Sequence, residues 1–272
     1  MLHYHGTPIT PRAALATMPG RHFCVSHAAP NDLAWCIANG ASVMLDNGAF
    51  SAWTKGRAVD WGAFYEWAAP HARHPHWAVI PDVIDGDEDD NDALLAACPL
   101  PRETAAPVWH LHESLDRLAR LAGEWPRVCF GSSGAFASPG ASSWRARIDA
   151  AWDVLERQSS RPWVHMLRAM KEASEGPWPF ASADSTNIAR NHNGASGRPA
   201  QTPELMAIRI DRKNPRYLGK RAEKQAVRNS ARHARGDHRH PKRAAPQPVI
   251  DREVQQFGQQ ERDGRGGRQR GR

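Results

Sequence analysis

The sequence predicts an α/β protein whose parallel sheet rolls into a TIM-like (β/α) barrel, followed by a basic C-terminal tail that stays largely disordered. Seven short apolar, β-rich runs recur between residues 22 and 185, amphipathic segments separate most of them, and the aromatic residues thin out where positive charge begins. Continuous apolar strands alternating with helices suit a parallel sheet covered on its faces. Seven such units favour a barrel over an open doubly wound sheet.

The runs are HFCVS (22–26), SVMLDNGAF (42–50), WAVIPDVI (77–84), PVWHLH (107–112), RVCFGSSG (127–134), WVHMLR (163–168) and PFASADS (179–185). Asn31 is placed to cap a helix that ends near Gly40. Asp60 is placed to cap another, with Trp61, Phe64, Tyr65 and Ala68 on one face at helical spacing. Ser114 precedes Leu115, Leu118, Ala119 and Ala122, with Gly123 as a stop. Ser143 precedes the stripe Trp144, Ile148, Ala151, Trp152 and Leu155. The acidic stretch from Asp85 to Asp92 lacks calcium-loop spacing and reads as a solvated helix start, where the helix dipole favours negative charge. An eighth strand has two candidates, LMAIRI (205–210) or the N-terminal HYHGTPI.

Residues 209–272 carry 19 Lys/Arg against 7 Asp/Glu, while residues 1–208 carry 17 against 22. All 11 Trp lie between Trp35 and Trp178, and the last segment offers only Tyr217 and Phe257 as aromatics. So little apolar surface cannot offset chain entropy. The expected organisation is a barrel domain over residues 1–208 and a nucleic-acid-binding tail over 209–272, ending in DGRGGRQRGR. Such a tail binds phosphates through counterion release without reading sequence. No apolar run approaches the roughly 18–20 residues that span a bilayer, and MLHYHGTPIT lacks a signal-peptide core, so no membrane partner is expected. Cys24, Cys36, Cys98 and Cys129 show no CxxC spacing, which argues against a disulfide framework and for a reducing cytoplasm. No GxGxxG or GxxxxGK[ST] follows a strand, so dinucleotide and P-loop sites are not expected.

In a barrel the C-terminal strand ends face the active site. Those ends carry Asp46-Asn47-Gly48, Asp82, His110 and His112, Gly131-Ser132-Ser133-Gly134, and Asp184-Ser185. One aspartate at a strand end is as consistent with helix capping as with catalysis. Three on one rim, beside a turn whose glycines let backbone N–H groups approach a ligand, favour a site.

LDNGAFS (45–51) resembles the Asp-Ser-Gly-Gly-Phe segment of tRNA-guanine transglycosylases. ADSTNIARN (183–191) resembles the segment around their nucleophilic aspartate, PDVIDG fits their third-strand aspartate, and FGSSG sits at their Gly-rich base-binding turn. The match runs in order over residues 40–195. His110 stands near where the tRNA enzymes use a glutamine, and no cysteine follows Cys129, so their zinc-binding insertion is missing. A zinc-free chain of this kind is more similar to the phage and bacterial branch that inserts 7-deazaguanines into DNA. The resemblance implies exchange of guanine in DNA for preQ0 or a relative, with no cofactor, in a cytoplasm (that of a bacterial host if the gene is a phage's). A helper protein that opens the duplex is a possible partner, and tRNA is the alternative substrate.

Base exchange must break an N-glycosidic bond and keep the sugar activated, which a carboxylate does by forming a glycosyl-enzyme intermediate. Asp184 is the candidate nucleophile and Asp46 the acid/base, with Asn47 and Gly48 nearby. Asp82 and His110 would read the purine edge. The amides of Gly131–Gly134 and the hydroxyls of Ser132 and Ser133 would bind its carbonyl, with Ser185 beside the nucleophile. Phe50 or Met166 would stack on the base, unless both are ordinary core. Arg190 and Arg198, with Arg268 and Arg270 in the tail, would hold the backbone of a flipped or single-stranded target. A rival reading is a metal-dependent barrel hydrolase holding Zn²⁺ through His110, His112, His165 and Asp184. Against it, the first apolar run, HFCVS, lacks the His-x-His pair usual in such enzymes. A third is a non-catalytic barrel that binds nucleic acid through its tail.

Overall fold

A computed structural model describes residues 1–193 and 201–212. Residues 213–272, and with them Arg268 and Arg270, lie outside the described residues, as does Arg198. Nine parallel strands form one sheet, nearly closed and barrel-like, with helices around it. In chain order the strands are β1 (Leu2–Gly6), β2 (His22–Ser26), β3 (Ser42–Asp46), β4 (Trp77–Val79), β5 (Ala105–Ala106), β6 (Val108–His110), β7 (Arg127–Gly131), β8 (Trp163–Met166) and β9 (Ser182–Ser185). Their spatial order is β5-β4-β3-β2-β1-β9-β8-β7-β6.

The two end strands are consecutive in the chain and separated only by Pro107. Ala106 accepts a hydrogen bond from the Ile80 amide (2.9 Å), and Pro107 accepts one from the Cys129 amide (2.8 Å), so this stretch reaches both neighbours. Proline has no N–H to give to a ladder, and the pairing changes sides there.

All seven expected runs contain a strand. HYHGTPI supplies the further strand, as β1. LMAIRI does not: it forms the middle of helix Pro203–Arg212, which carries the folded chain through residue 208 to Arg212. Pro203 and Ala207, four residues apart, are buried, which is helical and not strand spacing.

The larger helices are α1 (Leu33–Asn39), α2 (Trp61–Ala68), α3 (Glu88–Ala96), α4 (Leu115–Glu124), α5 (Ser142–Arg157) and α6 (Pro203–Arg212). Asp60 and Ser114 cap α2 and α4 through the amides of Ala63 (3.0 Å) and Arg117 (3.0 Å). The acidic stretch does begin a helix: Asp87 and Asp90 form a reciprocal capping box on α3. Asn31 caps nothing, because a 3-10 turn over Pro30–Asp32 leads into α1, and the Asp32 carboxylate accepts from the Ile9 amide. Gly123 lies inside α4, and Ser143 lies in the first turn of α5.

Side chains alternate across the sheet, and residues in register on adjacent strands share a face. One face carries the large core against the helices, including Phe23, Val43, Leu45, Trp109, Phe130, Val164 and Met166. The concave face holds Tyr4, Cys24, Met44, Trp77, Val79, Ala106, Val108 and Cys129. It is a partly polar filling: the Tyr4 hydroxyl accepts from Trp77 Nε1 (2.9 Å) and from Ser42 Oγ (3.0 Å). The Arg127 guanidinium lies 4.4 Å from the Trp77 ring centre and 5.6 Å from that of Trp163.

A buried ion pair fastens β6, α3 and α4 together. Glu113 and Arg117 have side chains 0% and 1% exposed and meet at 2.6 Å. The Glu113 carboxylate also accepts from the His110 amide and Asn91 Nδ2, and Arg117 donates to Val108 O and Asp92. Removing one partner leaves an uncompensated buried charge, so Glu113→Ala is expected to lower stability by about 3–5 kcal/mol, read as a fall in the urea unfolding midpoint. An unchanged midpoint would show the pair to be dispensable.

Candidate functional site at the strand ends

Asp46 closes β3 on the concave face, in register with Ser26. The chain then turns sharply: Gly48 has φ +80°, a left-handed value glycine takes without strain, and its amide bonds Asp46 Oδ2 at 3.2 Å. Asp184 sits on β9 on the same concave face, in register with Tyr4. Both carboxylates are partly exposed, and the two lie close enough for their charges to act on each other.

Their environments push them apart. Burial raises the Asp46 carboxyl to about 6, a hydrogen bond from Ser26 pulls against this, and the charges of Asp184 and Asp82 add to the rise. Burial also pushes Asp184 up, but His165, the Arg168 amide and the Arg168 charge outweigh it and hold this carboxyl below its ordinary value. Asp184 Oδ1 stands 3.4 Å from His165 Nε2 and accepts from the Arg168 amide at 2.9 Å. His165 is fully buried, its ring held near neutrality chiefly by desolvation. Its Nδ1 meets Ser182 Oγ at 2.8 Å, and that oxygen also accepts from Trp163 Nε1 at 2.8 Å.

Arg168 had no place in the sequence reading. It is the described non-glycine residue with positive φ, at 67°, a conformation costing roughly 1–2 kcal/mol. In return its amide reaches Asp184, and its guanidinium lies over the ring of Phe50. Phe50 and Trp53 are 38% and 48% exposed, with ring centres 5.5 Å apart, and make an aromatic ledge on the short helix Ala49–Trp53 that follows the Asp46 turn. Only a left-handed arginine, which no sequence pattern announces, would have pointed here.

Asp82 is buried and bonded twice: His110 Nε2 meets Oδ2 at 2.9 Å, and Asn47 Nδ2 donates to Oδ1 at 2.7 Å. Asn47 also donates to Ile80 O and accepts from the Ala49 amide, so its side-chain amide is engaged in positioning the rim. Several expected contacts are placed elsewhere. Met166 is in register with Phe130 and Ala183, on the face toward the helices, and is fully buried there. Ser185, one residue past Asp184, necessarily points to the same outer face and bonds His3 Nε2 at 2.8 Å. The hydroxyl of Ser132 accepts from Trp144 Nε1, and that of Ser133 meets His112 Nδ1 at 2.7 Å. Gly131 gives room to a side chain: a Cβ there would stand 2.9 Å from His110 Nδ1, and Gly134 lies against His112. Arg190 is exposed on the short helix Asn187–Asn191 that follows β9.

The zinc set of the hydrolase reading does not assemble. His110 turns to Asp82, His112 to Ser133 and the Gly86 carbonyl, and His165 to Ser182 and Asp184. The first strand does carry a His-x-His pair, His3 and His5, because that strand is β1 and not β2. Both side chains lie on the outer face, away from Asp46 and Asp184. No protein-family model matches the chain, and neither a curated protein nor a solved structure shows a significant match to it.

Carboxyl ¹³C shifts followed against pH are expected to show Asp46 titrating near 6 and Asp184 below the usual range, with Asp184→Asn lowering the Asp46 value. The folded state holds the Asp46 proton more tightly than the unfolded chain does, so this contribution is present at low pH and lost as pH rises through about 6. Asp46→Asn should therefore stabilise the protein more at pH 7 than at pH 4; equal effects at both would contradict the raised carboxyl.

Proposed function

We propose that this chain is a TIM-like barrel transglycosylase that exchanges guanine in DNA for a 7-deazaguanine base such as preQ0. The observation that supports this most directly is the pair of rim carboxylates held in different protonation regimes. An ionised carboxylate beside one that gains and loses a proton near neutrality is the arrangement that retaining displacement at a glycosidic carbon needs.

In this reading Asp184 attacks C1′ of the target nucleotide as the bond from C1′ to the base nitrogen breaks. The bonding pair leaves with the guanine, and Asp46 supplies the proton that neutralises it. The incoming base then loses its ring proton to Asp46, its nitrogen bonds C1′, and the C1′–Asp184 bond breaks to restore the carboxylate. Atoms and charge balance without ATP, a nicotinamide or a metal. Phe50 and Trp53 offer flat surfaces for an extruded base, and Arg168 and Arg190 offer charge to its phosphates.

The resemblance at residues 45–51 and 183–191 supports the choice of guanine and its deaza analogues, and the lack of cysteines after Cys129 supports DNA over tRNA by analogy. A role limited to nucleic-acid binding explains the basic C-terminal segment but not the divided carboxylates.

The protein incubated with a guanine-containing single-stranded DNA oligonucleotide is expected to incorporate labelled preQ0 and to yield a trappable protein–DNA adduct. Asp184→Ala should abolish both. Asp46→Asn should slow exchange roughly 10²–10⁴-fold, the usual worth of general acid–base catalysis. Exchange into tRNA alone would move the substrate, and exchange surviving in Asp184→Ala would remove the mechanism.

A further inference from the structure

On the outer face of β1, away from the rim carboxylates, His3 and His5 project side by side, as residues two apart on a strand must. Their ring centres are 4.1 Å apart. Asp211, on the last described turn of α6, reaches the same place, and one donor atom from each of the three lies within 4.8 Å of the other two. His5 Nε2 stands 3.7 Å from Asp211 Oδ1. Two ligands on one tetrahedral zinc, each about 2.0–2.1 Å from the ion, are roughly 3.4 Å apart, so small side-chain shifts would bring these two onto one ion.

The hydrogen-bond inventory points the same way. His5 is 1% exposed, and neither of its ring nitrogens has a hydrogen-bond partner; His3 is 3% exposed, and its Nδ1 has none. Buried imidazole nitrogens are ordinarily paired, and here His3 Nδ1 and His5 Nδ1 have no partner, while His5 Nε2 has only the long 3.7 Å contact with Asp211. The remaining atoms have the partners that orient metal ligands from outside. Ser185 Oγ holds His3 Nε2 at 2.8 Å, which leaves Nδ1 as the ligand. Arg21 Nη1 donates to Asp211 Oδ2 at 2.7 Å, which leaves Oδ1 turned toward His5.

We propose that His3, His5 and Asp211 bind one divalent first-row transition ion of the zinc class, which pins helix α6 to the first strand. Two imidazoles and a carboxylate suit zinc, cobalt or iron(II) better than calcium or magnesium, which prefer all-oxygen sites. Asp211 is 31% exposed on its side chain and gives the ion a path from solvent. The ion stands apart from the proposed base exchange, which proceeds without it.

The full chain, stripped with a chelator, is titrated with Zn²⁺ by calorimetry and with Co²⁺ by visible absorption, beside His5→Gln and Asp211→Asn. All three proteins keep the histidines at 233, 238 and 240, so metal bound by the C-terminal segment cancels in the comparison. The parent is expected to take up one more tight equivalent than either variant, with Co²⁺ bands of a four- or five-coordinate site that both variants lose. Loss of a direct ligand should weaken that equivalent by more than the roughly 10–100-fold typical of losing an outer partner. Zn²⁺ should raise the melting temperature of the parent alone. Absence of a tight equivalent in the parent would overturn the site. So would equal stoichiometry and affinity in Asp211→Asn, whose substitution is at the protein surface and whose fold is checked by circular dichroism.

Discussion

The two-residue alternation of side chains on a sheet that curls almost onto itself is the constraint from which the rest follows. The Ala105–His110 stretch bonds β4 on one side of Pro107 and β7 on the other, so each of the other strands has a neighbour on both sides. Every strand then offers one set of residues to the helices and one to the interior, with little freedom to exchange them. Asp46, His110, His165 and Asp184 are brought to one region because each falls on the interior parity of a different strand. Met166 and Ser185 are kept out because each is one residue away from that parity.

Electrostatics then differentiates carboxyls that the fold has merely gathered. Asp82 is taken up by His110 and Asn47, and Asp184 by His165 and the Arg168 amide. Asp46 has weaker support from Gly48 and Ser26 and faces two like charges, so it is the carboxyl on which desolvation prevails. The strained backbone at Arg168 belongs to the same arrangement, since it turns an amide toward Asp184, whose carboxyl is held below its ordinary value. Local strain that persists only with support from its surroundings commonly marks a working site.

Much of this was legible in the residues. The apolar runs located strands because buried parallel strands need apolar side chains on both faces, and Asp60, Ser114 and the acidic stretch announced helix starts by capping chemistry. β1 was less visible as the opening strand because its outer positions are His3 and His5. β5 was invisible, being two alanines. LMAIRI suggested a strand because its apolar residues run nearly unbroken, and only the burial of Pro203 and Ala207 reveals the helix. At the strand ends, nearness in sequence misled: Ser185 adjoins Asp184 and so points away from it. The Gly-Ser-Ser-Gly turn read as a ligand cradle, whereas its hydroxyls bond Trp144 and His112 and Gly131 makes room for His110. No pattern in the sequence encodes the left-handed arginine or the approach of Asp211, 206 positions on in the chain, to His5.

The row of contacts from Trp163 through Ser182 and His165 to Asp184 has a direction. The ionised Asp184 carboxylate can only accept, so the neutral His165 imidazole carries its hydrogen on Nε2, the atom facing that acid. Its Nδ1 then accepts from the Ser182 hydroxyl, whose oxygen in turn accepts from the Trp163 indole. The dipoles in the row all point the same way, toward the acid. The negative charge at the end is steadied by an N–H that can polarise toward the acid, while a neutral imidazole holds that proton too tightly to surrender it.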